Sequence, residues 1–167
     1  MDRSDPSIKT SAVRLRDVLA ADLPIFWQQQ LDLDANDMAA FTASDPTDQA
    51  AFVAHWSRIL SDATSVKQTI LCDEQVAGHI LSFEQFGQPA VSYWLGKPYW
   101  SKGVATRALA ALLACITTRP LYARAAKDNL GSIRVLEKCG FTISGEDTGF
   151  ANARGQEIEE NILVLTR

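Results

Sequence analysis

No stretch of this chain approaches the roughly 18 uninterrupted apolar residues that a membrane-spanning helix needs, so no transmembrane segment is expected. The opening MDRSDPSIKTSA has charges and a proline but no apolar centre, which argues against a secretory signal and for a cytoplasmic protein. Basic side chains are in deficit: 16 Lys and Arg stand against 20 Asp and Glu, for a formal net charge of -4. Such a balance, without basic runs interleaved with aromatics, argues against nucleic-acid binding. Histidine is nearly missing, and His55 and His79 have no second ligand at metal spacing, so no metal site is expected. The three cysteines, Cys72, Cys115 and Cys139, form no CxxC pair and sit among apolar neighbours, as buried reduced thiols do. Neither the GxxxxGKS/T phosphate loop nor the GxGxxG dinucleotide fingerprint occurs.

What is present is 167 residues, 47% of them hydrophobic, without repeats or linkers. That is enough for one domain over 11–167 behind a flexible tail of residues 1–10. Alternation predicts a strand over Ala12–Asp17, and Asp22-Leu23-Pro24 predicts a capped helix start. A second helix is expected to open at Asp45-Pro46 and to bury Phe52, Trp56, Ile59 and Leu60, leaving His55 and Arg58 in solvent. Strands over Val66–Cys72, Val76–Phe86 and Ala90–Leu95, joined by short turns, read as an antiparallel meander. A helix from about Gly103 to Thr117, a strand over Pro120–Ala126 and a helix over Asn129–Lys138 follow. Strands over Phe141–Ser144 and Glu157–Leu165 close the chain. The plan is α+β, or mixed α/β, with parallel pairing required only across the helix that starts at Gly103.

Two segments carry chemistry. Trp100-Ser101-Lys102-Gly103-Val104-Ala105-Thr106 runs into a helix with small residues at Gly103 and Ala105. Free amides and a partial positive charge at a helix start suit a phosphate, and small side chains let it approach. Asn129-Leu130-Gly131-Ser132 begins the next helix, where Asn129 also serves as an ordinary cap.

Together, KPYWSKGVATRAL and NLGSIRVLEKCGF resemble the cofactor motifs of the GNAT superfamily of acetyl-CoA-dependent N-acetyltransferases. VRLRDV, YWLG and YW resemble its branch of ribosomal-protein N-terminal acetyltransferases; Trp100 stands where the general motif has Gln or Arg. The resemblance implies a mostly antiparallel twisted sheet with one splayed parallel pair, flanked by about four helices. It implies acetyl-CoA as cosubstrate, with the amides of Lys102, Gly103, Val104, Ala105 and Thr106 around its pyrophosphate. The backbone of Trp94, Leu95 and Gly96 would pair with the pantetheine arm, and Asn129 would reach the same arm. The implied acceptor is a primary amine, on a protein N-terminus or a small molecule.

Attack of an amine on a thioester needs a proton acceptor, an oxyanion donor and help for the leaving thiolate. The amide near Leu95 is the candidate oxyanion donor. Many family members use a tyrosine against the thiolate, but the matching position here is Leu136, so Ser132 is the candidate. For the base, Glu84 is the first candidate, with Glu157, Glu159, Glu160 or a water relay as alternatives. A catalytically silent acyl-CoA-binding module is the competing class.

Overall fold

Strands β2 (Val66–Cys72), β3 (Gln75–Gln85) and β4 (Gln88–Leu95) form the expected meander in the computed structural model, which describes residues 11–167. The tail expected over 1–10 lies outside the described residues. Both tight turns hold two residues at positive φ, Asp73-Glu74 and Phe86-Gly87, as two-residue hairpins require. β1 (Val13–Asp17) pairs with β2; β5 (Leu121–Ala126), β6 (Thr142–Ala151) and β7 (Gln156–Leu165) complete a seven-stranded sheet in the order β1-β2-β3-β4-β5-β7-β6. Among the described residues, β4 and β5 are the one parallel pair.

Five helices flank the sheet, one more than expected: α1 (Leu23–Gln30), α2 (Leu33–Ala39), α3 (Gln49–Ser61), α4 (Val104–Cys115) and α5 (Leu130–Lys138). The addition is α2, whose sequence LDANDMA carries no apolar stripe. Capping forms it instead: Asp32 accepts from the amides of Asp34 and Ala35, and the buried Asn36 side chain donates to the Gln30 and Asp32 carbonyls. α3 starts later than expected because Asp48 caps it, while Asp45 closes a local turn onto Thr47. β6 runs far past Ser144. It is an edge strand exposed along most of its length, so it lacks the alternation that marks a half-buried strand.

One face of the sheet packs on α4 and α5 through Ile80, Val91, Leu109, Leu112, Leu121 and Leu136. The other packs on α1 and α3 through Phe26, Phe52 and Trp56. Asp22 does not cap α1 with its side chain. It is buried under β1 and β2, bonded to Arg16 at 2.6 and 2.8 Å, to Thr69 at 2.6 Å and to the Leu19 amide at 2.9 Å. Burial alone would raise its pKa, but the Arg16, Thr69 and Leu19 bonds outweigh it and hold the carboxyl at about 2.

On that second face His79 lies largely buried between Phe26 and Trp56, with ring centroids 4.9 and 4.8 Å away. Burial, and secondly the neighbouring His55, push its pKa down to about 3. An unfolded chain takes up a proton here near pH 6.5, whereas the folded chain stays neutral. Stability is therefore complete above that pH and falls below it, by up to about 1.4 kcal/mol per pH unit, until the folded value is reached. Equilibrium denaturation at pH 7 and pH 5 should differ by about 2 kcal/mol from this group, and His79→Leu should remove that part of the acid loss.

Candidate active site

β4 and β5 share a single bridge, Ala90 beside Tyr122, and then part. A cavity of about 290 Å³ fills the opening between them. Side chains alternate along a strand, so the opening connects the two faces of the sheet. Toward α5 it is lined by Val91, Tyr93, Ser132 and Leu136; toward the other face, by Phe41, Phe83, Gln85, Ser92, Arg124 and Glu160. The result is a slot through the sheet.

The end of β4 is aimed by its neighbours. A Cβ added to Gly78 would stand 1.9 Å from the Trp94 carbonyl oxygen, so β3 must have glycine where β4 bends over it. The Gly96 amide donates to Ala77 at 2.8 Å, and ladder alternation then turns the backbone of Leu95 toward the slot. The Leu95 carbonyl accepts from the Trp100 indole at 2.8 Å, and its amide faces the gap. Trp100 thus holds the strand end in place.

Just beyond, Gly103 sits at φ 73 before α4, a conformation that favours glycine. A Cβ there would meet nothing nearer than Arg107 Nε at 4.0 Å, so the space over the helix start is open. The amides of Val104, Ala105 and Thr106 lie in the first turn and lack helical acceptors. Arg107 folds back onto the carbonyls of Lys102 and Gly103, at 3.3 Å each, and brings a cation beside that cradle. The arrangement fits a pyrophosphate. Arg107 carries no sequence signal, because only the folded helix start shows which way it turns.

On α5 the Asn129 side chain caps the helix, accepting from the Ser132 amide at 3.2 Å. That commits its oxygen and leaves its amide nitrogen at the slot wall. The Tyr93 hydroxyl lies 2.8 Å from Ser132 Oγ, a pair in which either oxygen can donate, and 3.3 Å from the Ser132 carbonyl, the other acceptor for its one proton. Burial pushes the Tyr93 pKa up to about 12, with the Ser132 bond opposing and Cys139 adding to the rise. The phenol is therefore a donor over the whole working range, and a phenol reaches this place from β4 although Leu136 occupies the usual tyrosine position.

Glu84, the first candidate for the base, pairs with Pro89, is exposed and does not line the slot, although Phe83 and Gln85 beside it do. Glu157 and Glu159 are exposed too. Glu160 is the buried one of the three, with Oε1 held by Arg124 Nη1 at 2.7 Å. Among the described residues no group of three or more His, Cys, Asp or Glu gathers at metal-binding distance, and no helix is long and apolar enough to cross a membrane.

A family model described as an acetyltransferase (GNAT) domain matches residues 12–142. The chain belongs to the GNAT acetyltransferase family. Its members take the acetyl group from acetyl-CoA, and the open helix start at Gly103 fits that donor. No curated protein matches the sequence. Among solved structures, a RimL ribosomal L7/L12 α-N-protein acetyltransferase with coenzyme A superposes with a TM-score of 0.75 at 20% identity, covering 92% of this chain and 93% of that one. The microcin C7 self-immunity acetyltransferase MccE, with acetyl-CoA and AMP, gives 0.75 at 17% identity over 93% and 92%. RimJ of Mycobacterium smegmatis gives 0.73 at 22% identity over 92% and 81%. At these identities the likeness is one of fold.

Gly103→Asp puts a carboxylate over the cradle in a residue type that tolerates positive φ. Calorimetry should show coenzyme A affinity reduced at least about tenfold, with thermal stability nearly unchanged.

Proposed function

We propose that this GNAT protein acetylates a primary amine by direct transfer within the slot, with Ser132 at the leaving sulfur and Glu160 at the incoming amine. The observation that carries the reading is the Tyr93–Ser132 hydroxyl pair at 2.8 Å, in a slot toward which the Leu95 amide is turned. The cradle of Lys102, Gly103, Val104, Ala105 and Thr106 binds the donor's pyrophosphate, while Trp94, Leu95, Gly96 and Asn129 line up its arm. Bound acetyl-CoA supplies the thioester.

In the slot, the Leu95 amide donates to the carbonyl oxygen as negative charge develops there. The amine nitrogen forms the new C–N bond as the C–S bond breaks. With Tyr93 turned to give its one proton to Ser132 Oγ instead of the Ser132 carbonyl, the serine hydrogen is free to meet the sulfur. Oε2 of Glu160 carries no hydrogen bond among the described residues, and it takes the ammonium proton directly or through one water. The Tyr93–Ser132 pair favours transfer over mere acyl-CoA binding, since a module that only binds needs no donor at the sulfur. Free thiols at Cys72, Cys115 and Cys139 suit a cytoplasmic enzyme.

Ser132→Ala should lower kcat about tenfold or more with KM for acetyl-CoA nearly intact, the pattern of an interaction made in the transition state. Tyr93→Phe should give part of that loss, and Glu160→Gln should depress kcat/KM for the amine. Glu84→Gln should retain full activity. Steady-state thiol release across these four variants checks the assignment, and a silent Ser132→Ala overturns it.

A further inference from the structure

We propose that the half of the slot facing away from α5 binds a primary ammonium carried on an aromatic body, with Phe86 as the specificity-determining wall. The proposal rests on the acetyl-transfer reading and names its acceptor class. Phe86 is the observation that needs explaining. It occupies the first central position of a two-residue turn at φ 51, where asparagine, aspartate or glycine is normal. It is also 75% exposed. Neither backbone preference nor burial accounts for a phenylalanine there, yet its ring lies at the slot wall, with the Arg124 guanidinium 4.5 Å from its centre.

The same half of the slot has two further aromatic walls, Phe41 and Phe83. Phe41 is 37% exposed, and its ring approaches to 3.2 Å of where a Cβ on Gly149 would be, so glycine in β6 leaves the ring its seat. The charges point the same way. Arg124 is the single cation lining this half, and its Nη1 is shared between Asp147 at 2.9 Å and Glu160 at 2.7 Å. Glu160 is the one carboxylate lining this half, and Asp147, outside the lining, takes up part of the Arg124 charge, so the Glu160 carboxylate is left to draw in an ammonium. Size completes the case. The tip between β6 and β7 is tied over the segment after α2, through the Ala153 amide to Ala40 at 3.2 Å and Asn152 to Thr42 at 2.7 Å. The whole slot holds about 290 Å³, shared with the donor's arm, so this half suits one ring and a short arm rather than a folded protein.

The test titrates phenethylamine, ethanolamine and a short peptide with a free N-terminus into the coenzyme A-loaded protein by calorimetry, with turnover by acetyl-CoA measured in parallel. Phenethylamine should bind about tenfold more tightly than ethanolamine, as expected for an added aromatic contact. Phe86→Asn should erase that preference while thermal stability stays level, because asparagine adopts the turn conformation readily. Equal binding of the two small amines, tighter binding of the peptide, or preference surviving in Phe86→Asn would each overturn the proposal. Selective binding without acetylation would keep the site and remove the transfer reading. Acetylation without aryl preference would do the reverse.

Discussion

After Ala90 and Tyr122, β4 and β5 carry backbone amides and carbonyls that no adjacent strand pairs. Buried backbone groups need partners, so a sheet that opens in its middle is costly unless something meets the exposed edges. The chain meets part of that need itself, through the Trp100 indole on the Leu95 carbonyl. The rest is available to a ligand with amides and carbonyls of its own, added like an extra strand. The surrounding packing serves this opening. Gly78 lets β4 bend, α4 and α5 seal one face, and α1 and α3 brace the other around an aromatic cluster.

The two faces differ in chemistry because they differ in what they must hold. Toward α5 the groups are uncharged hydroxyls and backbone amides, suited to charge that appears only briefly. Toward the other face stand Arg124, Glu160 and Asp147, fixed charges that act before any bond changes. Glu160 is kept from being an uncompensated buried charge by Arg124, which in turn rests on Phe86. The fixed charges and the uncharged hydroxyl pair thus lie toward opposite faces of the sheet.

Much of this was legible in the residues and some was not. Regular periodicity marks α4, and the meander from Val66 to Leu95 follows from alternation and turn residues. The register that sets Glu84 beside Pro89 was also readable. Where β4 leaves β5 was not; Glu84 itself is turned away from the slot by alternation, since Phe83 and Gln85 on either side of it line the opening. Three nearby glutamates on the last strand look alike in sequence; only the pairing of β7 with β5 turns Glu160 inward. The Tyr93–Ser132 bond joins residues 39 apart, so no local pattern could announce it. Nor did α2 have a pattern to read, since its cap and one buried asparagine hold it.

The tie between the β6–β7 tip and the segment after α2 has an evolutionary consequence. It is made of Ala153 to Ala40 and Asn152 to Thr42, and Arg154 adds bonds to the Asp37 carbonyl in α2 and to Asp128 just before α5. None of them belongs to the helix start at Gly103 or to the end of β4. Substitution or lengthening of these two loops would therefore reshape the entrance of the slot while leaving the helix start at Gly103 and the end of β4 as they are. A lineage carrying this fold can drift from one amine to another by loop change alone.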